Sequence, residues 1–346
     1  MRITVLAPLL AGLFTTMPTA DKRNLINTVA IRATDDQVER EKISARVNAY
    51  LKDEDFAALN KMATEFLTTR ARTPSGVWKL RVFHTSVRSW LKELQPAETC
   101  VSAARPILNR WSAFDPSAPA PPITEAWALL EQAWCKRHDV NWGAEPFRAD
   151  ASKADQTLAV YKSVASVDPE YYATAEDVAF VTRSDKADFN RLLAEGIAHE
   201  PSYYGLYFSA AKYFLPAAYG STQDVDRIAR LAADKSSGTD GLGAYARVYW
   251  LYRDCGCSLW QSAIDWTLMK QSMADVVARY PADWNVVNFA KIACQMGDSR
   301  EAAKYFSKLR RDNGLAWRND EERKECRTMA ALGEIGGRPA QAKKGR

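Results

Sequence analysis

Few residues of this chain have types and spacings suited to chemistry. Cys255-Gly-Cys257 sets two thiols one residue apart, and His199-Glu200 joins an imidazole to a carboxylate. The run HEPSYYGLYFSAAKYFLPAAYGS, from His199 to Ser221, gathers the rings of Tyr203, Tyr204, Tyr207, Phe208, Tyr213, Phe214 and Tyr219. The cysteine pair has CxC rather than CxxC spacing and is too tight to close on itself without strain, so at least one of its sulfurs pairs elsewhere or stays free. The histidine reads as one placed for the dipole at a helix C-terminus. The rings form either a stacking surface or the inside of a helical protein.

No nucleophile elbow, P-loop, GxGxxG turn or HExxH helix is present, and pairs such as Glu195 with Glu200 or Asp224 with Asp226 are no better placed than chance among 42 acids. His84, His138 and His199 are the only histidines, and no second close cysteine pair accompanies them, so neither a metal nor a cofactor is expected. The net charge of +5 comes from 47 cations interspersed with 42 anions, not the basic stripe that nucleic-acid binding requires. A hydrophobic fraction of 47% is ample for a folded core in 346 residues.

Residues 1–20 read as an export signal: Arg2, the short apolar stretch Val5 to Phe14, then Pro18-Thr19-Ala20 before Asp21. No later apolar run is long enough to cross a bilayer, so no membrane insertion is expected once the signal is cleaved. Six cysteines fit a periplasmic or secreted protein. The candidate bridges are Cys294 to Cys326, joining the last hairpin to the helix after it, and Cys100 to Cys135.

The elements that carry these residues follow helical periodicity, with strand alternation hard to find. Val38, Ile43, Val47 and Leu51 share one face, Phe56, Leu59, Met62 and Phe66 another, and Trp78, Val82, Phe83, Val87 and Leu91 a third. The expected organisation is an N-terminal helical subdomain over 21–114, a proline-rich loop over 115–123, helical repeats over 124–334 and a basic tail over 335–346. The repeat shows in Asp168-Pro-Glu-Tyr-Tyr172, which returns as Glu200-Pro-Ser-Tyr-Tyr204, each proline opening a helix. Pro281 begins a third such unit.

Ala302-x3-Phe306-x2-Leu309 and Phe189-x3-Leu193-x2-Gly196-x4-Pro201 resemble the second helix of tetratricopeptide repeats, in degenerate form. Thr73-Pro-Ser-Gly-Val-Trp-Lys-Leu80, Glu200-Pro-Ser-Tyr-Tyr-Gly-Leu-Tyr-Phe208 and Tyr245-Ala-Arg-Val-Tyr-Trp250 together resemble the uncharacterised bacterial family filed as domain of unknown function 4034. That resemblance implies an all-helical bacterial protein and carries over no catalytic residues.

With Pro201 opening a helix, Tyr203, Tyr207, Ala210 and Phe214 form one stripe and Tyr204, Phe208 and Ala211 the next, opposite Ser209 and Lys212. That is the broad apolar face of a helix sandwiched in a solenoid. Any of Tyr171, Tyr172, Tyr203, Tyr204 and Tyr207 left at the rim would mark a groove. The expected fold is an all-α, irregular helical-hairpin solenoid, and the expected role a scaffold for a protein or peptide partner. A hydrolase of envelope material whose carboxylates are assembled only by the fold is the alternative; a thiol oxidoreductase using Cys255 and Cys257 is a third reading.

Overall fold

Side-chain caps written in the sequence start six of the described helices. Thr34 opens α1 (Asp35–Lys52) with a reciprocal capping box, its hydroxyl accepting from Gln37 N at 3.3 Å while Gln37 Oε1 accepts from Thr34 N at 2.9 Å. Asp55, Asp185, Ser221, Asp265 and Asp298 each cap a later helix through the amide three residues on. The computed structural model describes residues 34–94, 104–135, 145–182, 184–311 and 314–335. The expected export signal, Cys100 and residues 336–346 of the tail lie outside them.

After α1 come α2 (Phe56–Thr69), α3 (Lys79–Glu93), α4 (Arg105–Phe114), α5 (Ala120–Cys135), α6 (Glu145–Val160) and the single turn α7 (Lys162–Ala165). Then follow α8 (Glu170–Thr182), α9 (Lys186–His199), α10 (Tyr204–Tyr213), α11 (Thr222–Lys235), the short α12 (Ser237–Asp240), α13 (Gly243–Asp254) and α14 (Trp266–Arg279). The chain continues through α15 (Asp283–Gln295), α16 (Ser299–Phe306) and α17 (Asp320–Ile335). Among the described residues there is no strand, only one isolated bridge between Arg72 and Trp78.

The fold is the expected all-α array of helical hairpins. The hairpins are α8–α9, α10–α11, α13–α14 and α15–α16, and within one row α8 packs on α10 and α10 on α13. The row continues through Trp250 of α13, 5.7 Å from Phe289 of α15, and α15 then packs on α17. The third unit is therefore displaced from the second by a whole hairpin plus the insertions α12 and 255–265, which is why the proline spacing is irregular.

Three expectations change. The N-terminal helices are not a separate subdomain: the described residues form one compact unit. α3 packs on α5, α5 packs on α8, and buried side chains of 72–88 bond to residues beyond 168. The proline-rich loop ends at Pro119, because Pro121 and Pro122 sit in the first turn of α5, where a missing amide hydrogen costs nothing. Its Asp115 is tied back to α2 by Asn60 Nδ2 at 3.2 Å, so it acts as a packed turn and not as a linker. Finally, Pro201 does not open α10; the helix starts at Tyr204, after a turn in which Glu200 Oε1 accepts from Ser202 N at 3.3 Å and Ser202 Oγ at 2.9 Å. The corresponding Asp168 Oδ1 accepts from Glu170 N at 2.8 Å, but there the helix starts at Glu170.

Cys294 and Cys326 form the expected bridge, with Cα atoms 5.5 Å apart, fastening α17 to α15. The partner pair falls on Cys100 and the Cys135 side chain, outside the described residues. No described helix is long and apolar enough to cross a membrane.

Candidate functional site

The aromatic run of α10 is core. Tyr171, Tyr172, Tyr203, Tyr204 and Tyr207 are all buried, so none of the five marks a groove. Three of their hydroxyls are spent internally: Tyr203 donates to Glu170, Tyr207 to Pro201 O at 2.7 Å and Tyr171 to Leu158 O at 3.3 Å, while that of Tyr204 is buried without a partner. Ser209, expected on the polar side, is buried too, because α10 has neighbours on both sides. On the second stripe, Tyr204 and Ala211 are buried and Phe208 alone stays half-exposed.

The histidine pair also resolves into structure. His199 Nε2 donates to Val167 O at 3.0 Å, while Glu200 turns away to cap Ser202 and to meet Arg70 at 2.9 Å. Cys255 is exposed and Cys257 half-buried, both free; burial pushes both thiols above their ordinary range, away from the thiolate that redox exchange needs.

Two acids on α8 were not legible in the sequence. Burial pushes Glu170 up, but Arg81, Arg88 at 2.7 Å, His84 and the Tyr203 hydroxyl outweigh it and hold the carboxyl well below the usual range. Beside it, His84 Nε2 and Asp168 Oδ2 pair at 2.8 Å, both buried. Glu176, two turns further along, has no partner for either oxygen, and burial drives it well above the usual range. Neither Glu170 nor Glu176 lines any of the larger hollows, so this pair of oppositely shifted acids does not face a space for substrate.

What does face solvent is a hollow of about 240 Å³ built where three distant segments meet. The Thr73–Gly76 turn lies against the starts of α10, α13 and α15. Trp78 Nε1 donates to Ser202 O at 3.0 Å, Arg72 meets Asp240 at 3.3 Å, and Asn285 Nδ2 donates to Ser75 O at 3.0 Å. Asp36 of α1 holds the turn from the other side, accepting from Ser75 N at 2.8 Å. Burial raises Asp36, but Arg40, Thr73 and Ser75 outweigh this and lower it. Gly76 has φ +88°, and a Cβ there would stand 2.6 Å from the Tyr280 ring, so the turn requires glycine on both counts.

The hollow's principal wall is one face of α13: Arg247, Trp250, Leu251 and Asp254, at i, i+3, i+4 and i+7. Trp284 and Phe208 complete its aromatic lining, with the Trp250 and Trp284 rings 6.3 Å apart. The opposite stripe of α13 turns inward, Tyr245 and Tyr249 donating to Asp226 at 2.7 and 2.9 Å.

Arg247 is the unusual member. It is 5% exposed, its Nη2 donates to Ser75 O, and its guanidinium lies 5.0 Å from the Tyr204 ring and 5.8 Å from that of Tyr280. Nε is buried without an acceptor, and no described carboxylate pairs with the group. An unsatisfied buried donor costs about 1–3 kcal/mol, more when charged. The ring faces offset part of this; the geometry leaves the rest unmet.

Two larger hollows lack such a deficit. One of about 590 Å³ contains Asp298, already bonded by Trp266 at 2.9 Å and Lys270 at 3.4 Å. The other, about 550 Å³ between α9 and α11, carries Arg227 and Lys235, each already facing an aspartate. Among the described residues no cluster of histidine, cysteine or acid side chains is arranged to hold a metal ion. In comparisons with known proteins, no family model, no curated protein and no solved structure matches the chain, so function is read from this geometry alone.

Proposed function

We propose that the protein is a binding scaffold for a protein or peptide partner and that the hollow between the Thr73–Gly76 turn, α13 and α15 is its recognition site. The observation that carries the reading is the pairing of half-exposed Phe208, Trp250 and Trp284 with a buried, uncompensated Arg247 in one solvent-open space. Aromatic walls with a few convergent polar groups are the usual make-up of a ligand site. Stacked hairpins supply a rigid frame on which such a site is positioned.

The protein acts in the periplasm or outside the cell on this reading, supported by the Cys294–Cys326 bridge and the signal-like N-terminus. Kinship with the 4034 family belongs to the same proposal: the three stretches that carry the likeness are those meeting at Ser75, Ser202 and Arg247.

A photo-reactive amino acid placed at Trp284 tests the reading in native envelope extract. One reproducible partner cross-linked from position 284, and lost in Trp250→Ala, is the expected result. Equal cross-linking from a control position in the α9–α11 trough, such as Leu231, would show that the hollow has no special role.

A further inference from the structure

Charge accounting in the hollow narrows what it binds. Arg40 is neutralised by Asp36 at 2.7 Å, and Asp254 by Arg253 at 2.6 Å. Arg247 is left as the one lining cation without a paired carboxylate. Glu176 shows how a buried acid meets the same deficit: burial pushes its pKa well above the usual range, towards the neutral form. A guanidinium has no such escape, since it stays protonated under all ordinary conditions. Its remedy is an anion.

We infer that the hollow binds a monoanionic carboxylate joined to an apolar or aromatic group, the carboxylate on Arg247 and the apolar group against Trp250, Trp284 and Phe208; this rests on the binding-site reading above. The fork of N–H donors on a guanidinium matches the two oxygens of a carboxylate. One uncompensated charge calls for one negative charge, which sets a carboxylate above a phosphate dianion. A volume of about 240 Å³ has room for one residue-sized group and excludes a folded segment. Such a carboxylate comes either from a free small acid or from the C-terminal end of a peptide.

Tryptophan fluorescence of the full chain, titrated with four probes, tests this: N-acetylphenylalanine, its amide, and a tetrapeptide ending in phenylalanine with a free or an amidated C-terminus. The acids are expected to bind about 10-fold to 100-fold more tightly than the matching amides, the range of a hydrogen bond to a charged group. Tighter binding of the free-ended tetrapeptide than of N-acetylphenylalanine assigns the ligand to a chain end; the reverse assigns it to a small acid. Arg247→Lys keeps the charge but loses the fork, and is expected to cut acid affinity about tenfold and amide affinity by less, narrowing the gap between them.

Acids and amides binding alike would overturn the carboxylate assignment and leave the scaffold intact. No binding by any probe, alongside a partner still cross-linked at Trp284, would overturn it equally. Loss of cross-linking as well would remove the scaffold reading itself. The amide arm needs no substitution, so the inference stays testable even where Arg247→Lys fails to fold.

Discussion

Two buried charges of this protein meet opposite fates. Glu170, on α8, is closed in by Arg81, Arg88 and Tyr203, so every partner it needs is supplied from within. Arg247, on α13, is as deeply placed but has only a backbone carbonyl and two ring faces, and it borders a hollow. A completed buried ion pair fixes how helices dock; the incomplete one borders the hollow proposed above as the recognition site. The difference separates structure from site without any catalytic motif.

The sharpest way to break the contrast is Glu170→Gln, which strands two guanidiniums in the interior. Urea unfolding is expected to show a loss of about 3–5 kcal/mol. Arg247→Met is expected to change stability by no more than about 1.5 kcal/mol, because Ser75 O keeps its bond from Asn285 and an unsatisfied donor is removed. Equal losses for the two variants would make Arg247 as structural as Glu170.

Next in size is the staple at the other end of the chain. Replacing Cys294 and Cys326 by serine opens a loop of 32 residues, for which chain entropy predicts a cost of about 3–4 kcal/mol. Thermal unfolding should register this while ligand binding at the hollow stays unchanged, since the bridge fastens α17 and not the Thr73–Gly76 turn.

Gly76→Ala tests that turn. Its positive φ and the Tyr280 ring together predict a loss of about 2 kcal/mol, with binding weakened because Ser75 and Val77 border the hollow. Retained stability with lost binding would place the turn's importance in the site alone.

The smallest effect concerns the two acids of α8 and reads out as pH dependence. Glu170 has its pKa lowered on folding, so its contribution is present above the ordinary value of 4.5 and fades as pH falls below it. Glu176 has its pKa raised, so its contribution is full below 4.5 and is lost as pH climbs toward the folded value. Glu176→Gln is therefore expected to flatten the stability profile on the neutral side and to gain about 1 kcal/mol near pH 8. Glu170→Gln should remove the acid limb instead. A Glu176→Gln profile parallel to the wild type would show that this carboxyl is solvated in solution.

Much of the fold was legible in the sequence. Caps such as Thr34 and Asp185 and the apolar spacing of Ile43, Val47 and Leu51 are local instructions, and the helices obey them; of the two Pro-x-Tyr-Tyr openings, only the one at Pro169 leads directly into a helix. The Cys294–Cys326 pairing followed from hairpin order. The candidate site was not legible in this way. Tyrosines chosen for their density proved to be core, and Arg247 passed unremarked within Tyr245–Trp250, though a lone cation in so apolar a run is a signal of a buried charge. Trp284 carries no sequence signal that sets it apart from the other apolar positions of α15.

Sequence alone thus determined which segments are helical, where most of them begin and which faces turn inward, because those properties depend on neighbours three or four residues away. Tertiary structure decided which charges are matched. Glu170 and Arg247 look alike as ionisable residues in largely apolar helices; only the tertiary structure brings Arg81, Arg88 and Tyr203 to one and no counter-charge to the other.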